Sequence, residues 1–206
     1  ARLETELHDG LRLEQFLLLY QPQVDSTGRV TGAEALLRWQ RPDQGLASPA
    51  LFIPLAEETG LILPLGQWAL ETAMLQQARW RSDPRLAHLT LAINVSARQF
   101  HQSDFVTQVL ELLERTGAVS VRNEMEITES IVVRESLRAA DVLAQLRALG
   151  VRIAIDDFGV GYSSFSYLRE LPVDRFKLDR SFLSSVPQSQ GDSRLVAALI
   201  AMGHRL

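Results

Sequence analysis

The stretch Ile153–Leu168, IAIDDFGVGYSSFSYL, decides how the rest of the chain reads. It opens as a buried strand, Val151–Asp157, and runs directly into two adjacent aspartates. Two glycines, a tyrosine and two serines follow. One carboxylate at a strand end is ordinary. Two in a row, Asp156 and Asp157, repel each other and call for a compensating positive charge.

Working outward, a helix over Glu135–Leu149, closed by Gly150, leads into that strand. A short helix over Ser163–Leu171 and a strand over Asp174–Asp179 follow it. Upstream, strands are expected at Phe16–Gln21, Val30–Trp39, Leu89–Ser96 and Glu124–Thr128, with a turn at Asp25-Ser26-Thr27-Gly28. Helices are expected from Ser48-Pro49 to Gly60, over Pro64–Arg81, and over Asp104–Thr116 before Gly117. Serine can cap the first of these and proline fits its first turn. Residues 1–14 form an amphipathic helix leading into the domain rather than a signal peptide. The chain is helical again from Gly191. Strands alternating with helices argue for a parallel β/α architecture. A doubly wound sheet and an eight-stranded barrel both remain open. No GxGxxG or GxxxxGK[ST] loop follows a strand, which counts against nucleotide-binding versions of the first. A barrel needs eight strands, and this reading is two strands short.

The chain has 206 residues, of which 46% are hydrophobic, so a single domain with a sizeable core is expected. Its net charge of −4 argues against a nucleic-acid polymer as partner, but not against a small phosphorylated ligand in one pocket. There is no cysteine, so a bound metal must take oxygen or histidine ligands. No apolar run approaches the roughly 18 residues that span a bilayer, and a cytoplasmic domain is expected.

Polar residues recur on or just after the strands: Gln21, Glu34, Arg38, Asn94, Glu126, Asp156, Asp157 and Lys177. In a β/α barrel, strand ends converge on one mouth. Four acids and an amide gathered there would repel unless a divalent cation joined them. Hard oxygen donors favour Mg²⁺ or Mn²⁺, and two adjacent aspartates can serve two ions. Paired ions suit phosphodiester hydrolysis. Lys177 could then orient or deprotonate the attacking water, and Arg38 could grip a phosphate. Each residue also has a plainer reading. Asn94 could cap a helix, Asp156-Asp157 could form a turn, Lys177 could pair with Asp179, and Arg38 with Glu34. The recurrence at successive strand ends favours the metal site.

These residues sit in blocks that resemble the EAL domain family of bacterial cyclic-di-GMP phosphodiesterases. The blocks are EALLRW (Glu34–Trp39), YQP (Tyr20–Pro22), FIPLAEETGLI (Phe52–Ile62), NVSARQF (Asn94–Phe100), EITES (Glu126–Ser130), DDFGVGYSSFSYL (from Asp156) and FKLDRSF (Phe176–Phe182). The seven ordered blocks run from Tyr20 to Phe182, so the resemblance covers nearly the whole chain. The resemblance implies a TIM-like (β/α)8 barrel with an antiparallel first strand, and a metal-dependent hydrolase that opens cyclic-di-GMP to linear pGpG. It implies Mg²⁺ or Mn²⁺, two ions, with inhibition by Ca²⁺. Glu34, Asn94, Glu126, Asp156 and Asp157 match its metal ligands, and Lys177, Glu34 and Asp157 its catalytic residues. Gln21, Leu36 and Arg38 match substrate-binding positions, and Glu129 the glutamate that steadies the loop after the fifth strand. That loop couples metal binding to dimerisation in the family, so a homodimer is expected, with an upstream sensory or GGDEF domain conceivable. The alternative is an inactive EAL-type receptor that binds the dinucleotide without cutting it. Two departures stand out. Val160 replaces the usual Thr or Ala, and a seventh and eighth strand would have to follow Leu206. The expectation is therefore an EAL domain that is C-terminally incomplete over residues 1–206, in a protein that continues.

Overall fold

The structure is a computed structural model and describes residues 2–42, 44–134, 136–159, 171–183 and 190–205. The chain divides into two compact units, Ala1–Met125 and Glu126–Leu206.

In the first unit, strand β1 (Phe16–Val24) turns back on β2 (Val30–Arg41), both longer than their apolar runs suggest. The turn explains the extra length. Asp25 Oδ1 accepts from the Thr27 N–H at 2.9 Å and the Arg29 N–H at 3.1 Å, and Gly28 supplies φ +81°. The polar ends thus keep pairing up to the turn. β1 runs antiparallel to β2, with Gln21 opposite Glu34. β2 runs parallel to β4 (Thr90–Asn94), with Ala35 opposite Ile93. The antiparallel first strand is therefore as expected. A short β3 (Gly45–Ala47), too brief to show an apolar pattern, folds back on the end of β2.

Helix α1 (Arg2–Arg12) buries Leu7 and Gly10. A Cβ on Gly10 would come within 2.7 Å of Trp39 Nε1, which donates to Gln15 Oε1 at 3.2 Å. The fully buried Trp39 stacks on Phe16 at 5.7 Å between centroids and meets Phe52 edge-on at 5.9 Å. Each such ring contributes about 2–3 kcal/mol through burial. Helix α2 (Pro49–Thr59) starts with proline and stops at Gly60, φ +81°, but Ser48 at its N-cap makes no side-chain capping bond. Helix α3 (Ile62–Arg81) begins two residues before Pro64, which is tolerated because first-turn N–H groups have no helical partner anyway. Two further α-helices follow in this unit. α4 (Ala97–Phe100) was not expected, and α5 (Phe105–Thr116) ends on Gly117, φ +67°.

β5 (Asn123–Thr128), whose last three residues open the second unit, leads into α6 (Glu129–Arg134) and α7 (Ser136–Ala148), where a single later helix was expected. β6 (Arg152–Phe158) stands between β5 and β7 (Arg175–Leu178), and pairs parallel with β7. Ile153, Ala154 and Ile155 are fully buried, as are Leu143 and Leu146 on α7. Phe158 and Phe176 meet at 4.9 Å. The Asp174 carboxylate accepts from the Ile153 N–H at 2.9 Å and from Arg147 at 3.1 Å. Helix α8 (Gln190–Gly203) follows. Val160 and the expected helix over Ser163–Leu171, apart from Leu171 itself, lie outside the described residues.

Candidate functional site

The expected site residues form one group in each unit. In the first unit, β2 presents Glu34, Leu36 and Arg38 at alternate positions, hence on one face. All three line a cavity of about 390 Å³ that also touches Ile53, Glu57 and Asn94. Gln21, exposed on β1, lies directly across the ladder from Glu34 and shares its face. β4 buries four residues and then exposes its last, Asn94. The Asn94 Nδ2 donates to Glu34 Oε1 at 2.9 Å. Asn94 is therefore not the cap of the next helix. Ser96 is, through a capping box with Gln99. Arg38 Nη1 donates to the Leu37 carbonyl at 2.8 Å, so the bond it makes is to backbone rather than to Glu34.

In the second unit, three neighbouring strands bring Glu126, Asp156 and Lys177 together. The Lys177 Nζ donates to Glu126 Oε2 at 2.6 Å and to Asp156 Oδ2 at 3.3 Å. The Glu126 side chain is 0% exposed, whereas those of Asp156 and Lys177 are 22% exposed. A buried carboxylate needs a paired charge, and the ammonium supplies it. The positive charge demanded by Asp156-Asp157 thus comes from Lys177 across the sheet. Asp179 caps the next turn instead, accepting from the Ser181 N–H at 2.8 Å.

Asp157 adopts φ +54°, in the left-handed region that only Asp, Asn and Gly visit readily. Its N–H donates to Asp156 Oδ1 at 2.9 Å. Burial, then repulsion from Asp156 and Asp179, push the Asp157 carboxyl above the usual carboxylate range, with Lys177 pulling the other way. The Glu129 carboxylate is buried and accepts the Gly159 N–H at 3.0 Å. Its other oxygen, Oε1, has no hydrogen-bond partner among the described residues.

Among the described residues, no three Asp, Glu or His side chains stand together as a ready-made metal cluster. Lys177 already sits between two of the acids. The donors in both units are nevertheless carboxylate and amide oxygens, which suit a hard divalent cation by chemistry. Sequence reasoning missed Gln99 and Gly66, which prove to touch each other. The signals were present as S-x-x-Q at Ser96–Gln99 and as a glycine inside a helical run.

A model of the EAL domain matches residues 4–206, and the chain belongs to the EAL domain family. It is 41% identical over 206 residues to the bifunctional diguanylate cyclase/cyclic di-GMP phosphodiesterase MucR of Pseudomonas aeruginosa, covering 100% of this chain and 30% of that protein. It is 37% identical over 204 residues to the cyclic di-GMP phosphodiesterase PdeR of Escherichia coli, covering 99% and 31%. Curated relatives of this kind are matched over 24% to 35% of their length. Among solved structures, the PaMucR phosphodiesterase in complex with c-di-GMP superposes with a TM-score of 0.95 at 39% identity, covering 100% of this chain and 83% of that one. The EAL enzyme Bd1971, with cAMP and cyclic-di-GMP bound, gives 0.93 at 34%, covering 99% and 56%. The fold is accordingly the TIM-like α/β fold of EAL domains. No described helix is long and apolar enough to cross a membrane.

Proposed function

We propose that this chain is the hydrolytic domain of a phosphodiesterase that opens cyclic di-GMP to linear pGpG, using Mg²⁺ or Mn²⁺. The observation that carries the reading is the set of oxygen donors at strand ends. Glu34 and Asn94 touch in one unit, and Glu126 and Asp156 are drawn together by Lys177 in the other. Identities of 37% and 41% to relatives named as cyclic di-GMP phosphodiesterases support it.

In this reading Glu34, Asn94, Glu126, Asp156 and Asp157 hold two divalent cations, whose chemistry is to offset phosphodiester charge and favour ionisation of the attacking water. Ca²⁺ inhibits, because it takes more ligands at longer distances. Leu36 offers an apolar surface to a base. Gln21 and Arg38 hold the phosphodiester, with Arg38 turning its planar fork from the Leu37 carbonyl to phosphate oxygens. Water adds to phosphorus and the bond to the 3′ oxygen breaks, leaving a 3′ hydroxyl and the 5′ phosphate of pGpG. Lys177 orients the water and exchanges its proton, and Glu34 and Asp157 are the other catalytic residues. Glu129 steadies the backbone after β6. The domain works as a homodimer in the cytoplasm, within a longer protein that carries a sensory or GGDEF domain. Nucleic-acid polymers are not substrates, in keeping with the net charge of −4.

The test is incubation with cyclic di-GMP and Mg²⁺ or Mn²⁺, followed by chromatography of the products, with Glu34→Ala in parallel. Accumulation of pGpG by the parent alone supports the reading. Intact dinucleotide, bound as tightly in EDTA as in Mg²⁺, would make the domain a receptor and overturn it.

A further inference from the structure

Gly66 lies buried near the start of α3, where alanine would ordinarily serve the helix better. Its lack of a side chain has a local cause. A Cβ there would sit 2.2 Å from Gln99 Cδ and Oε1, and 2.3 Å from Nε2. The Gln99 amide therefore fills the space that a side chain at Gly66 would take. Gln99 is 3% exposed, and its Oε1 accepts the Ser96 N–H at 3.2 Å and the Ser96 hydroxyl at 2.9 Å. In return the Gln99 N–H donates to Ser96 Oγ at 3.3 Å. Ser96 is two residues beyond Asn94, and the Val95 between them is buried. The backbone leaving β4 is thus held at Ser96 from one side and by the β2–β4 ladder from the other. Asn94, exposed at the strand end, has its amide set against Glu34.

We propose that Gln99, seated against Gly66, is a positioning residue for the divalent-cation site. It fixes the turn Asn94-Val95-Ser96 so that the Asn94 amide faces Glu34, and Gly66 is glycine to leave room for it. The inference rests on the metal-dependent reading of Glu34 and Asn94. A capping box that only started a four-residue helix would need no glycine on a different helix. Here the same amide that closes the cap is wedged against α3, so the strand end is referenced to a 20-residue helix. Side chains that orient metal ligands without touching the ion typically change affinity by about 10–100-fold when removed.

The experiment titrates Mn²⁺ into the whole chain and reads the unbound ion by EPR, with cyclic di-GMP hydrolysis and thermal melting followed on the same samples. Gln99→Met keeps the volume but removes the acceptor, and Gly66→Ala keeps Gln99 but expels its amide. Both are expected to weaken Mn²⁺ binding about tenfold while still melting cooperatively, within a few degrees below the parent. Gln99→Glu keeps an acceptor at Oε1 and is expected to bind near the parent. If Gln99→Met does not fold, Gly66→Ala decides. Parent-like Mn²⁺ affinity in the variants overturns the inference, as does equal loss in Gln99→Glu and Gln99→Met. If the parent binds Mn²⁺ but yields no pGpG, the phosphodiesterase reading fails while the titration still judges the role of Gln99. A parent that binds no Mn²⁺ overturns both.

Discussion

Where the chain leaves β4, an exposed amide meets one half-buried carboxylate, and the contact between Asn94 and Glu34 is a single hydrogen bond. Where it leaves β6, the carboxylates are crowded, one of them is wholly buried, and a lysine is drawn in between Glu126 and Asp156. The difference follows from desolvation. A carboxylate at the surface is stabilised by water, whereas one cut off from water must find a counter-charge. The two corners nevertheless share a device. Gln99 accepts the N–H of Ser96, two residues past Asn94, and Glu129 accepts the N–H of Gly159, two residues past Asp157. In each, a buried side chain holds the backbone immediately beyond a donor at the strand end.

If the two corners serve one reaction, loss of either should be equally damaging. Glu34→Gln and Asp156→Asn are each expected to lower cyclic di-GMP turnover by about 10²–10³-fold, the equivalent of several kcal/mol of lost charge stabilisation. Steady-state kinetics at saturating Mn²⁺ would break the comparison if only one variant were impaired. The corners should differ in stability. Removing Lys177 takes the ammonium away from a buried carboxylate, so Lys177→Met is expected to cost about 3 kcal/mol in urea unfolding without metal. Asn94→Ala, at an exposed neutral amide, is expected to cost no more than about 1 kcal/mol. Equal losses would remove the electrostatic distinction. Saturating Mn²⁺ should restore much of the Lys177→Met loss, because a ligand that binds only the folded state stabilises it.

The shared device can be probed separately. Glu129→Leu leaves the Gly159 N–H without its acceptor and is expected to cost about 1–3 kcal/mol, with Glu129→Gln milder because it keeps an acceptor. Hydrogen exchange at Gly159 should rise in the first variant and stay slow in the second. The smallest effect lies outside both corners, at the β1–β2 turn. Hydrogen bonds from Thr27, then Arg29, hold the Asp25 carboxyl below the usual carboxylate range, at a pKa of about 2. A depressed carboxylate pKa contributes stability above the unfolded value and loses it as pH falls through the folded one. The gap in melting temperature between the parent and Asp25→Ala should therefore be full at neutral pH and close between about pH 4 and pH 2. A gap that persists at pH 2 would assign the turn's stability to its glycine and backbone instead.

Much of this was legible in the linear chain. The apolar runs at Phe16, Val30 and Val151, and the glycine stops at Gly60, Gly117 and Gly150, place the strands and helices to within a few residues. The polar residues at strand ends could be picked out because they interrupt apolar patterns that have no packing use for them. Less legible were β3 and α4, which are too short to carry a period, and α6, which begins inside the EITES block. The partner of each charge was also hidden. Lys177 could equally have paired with Asp179, two residues away, and Arg38 with Glu34, four residues away on one strand face.

The sequence by itself determined the family, the order of elements and the identity of the candidate donors, because these depend on local periodicity and on residue types at fixed spacing. Only the tertiary structure decided which donors meet. It chose Glu126 and Asp156 for Lys177 over the nearby Asp179, and it set Gln99 against Gly66 across 33 positions of chain. Parallel strands bring distant residues side by side through their crossovers, and desolvation then selects among the possible partners. Neither effect has a local trace in the sequence.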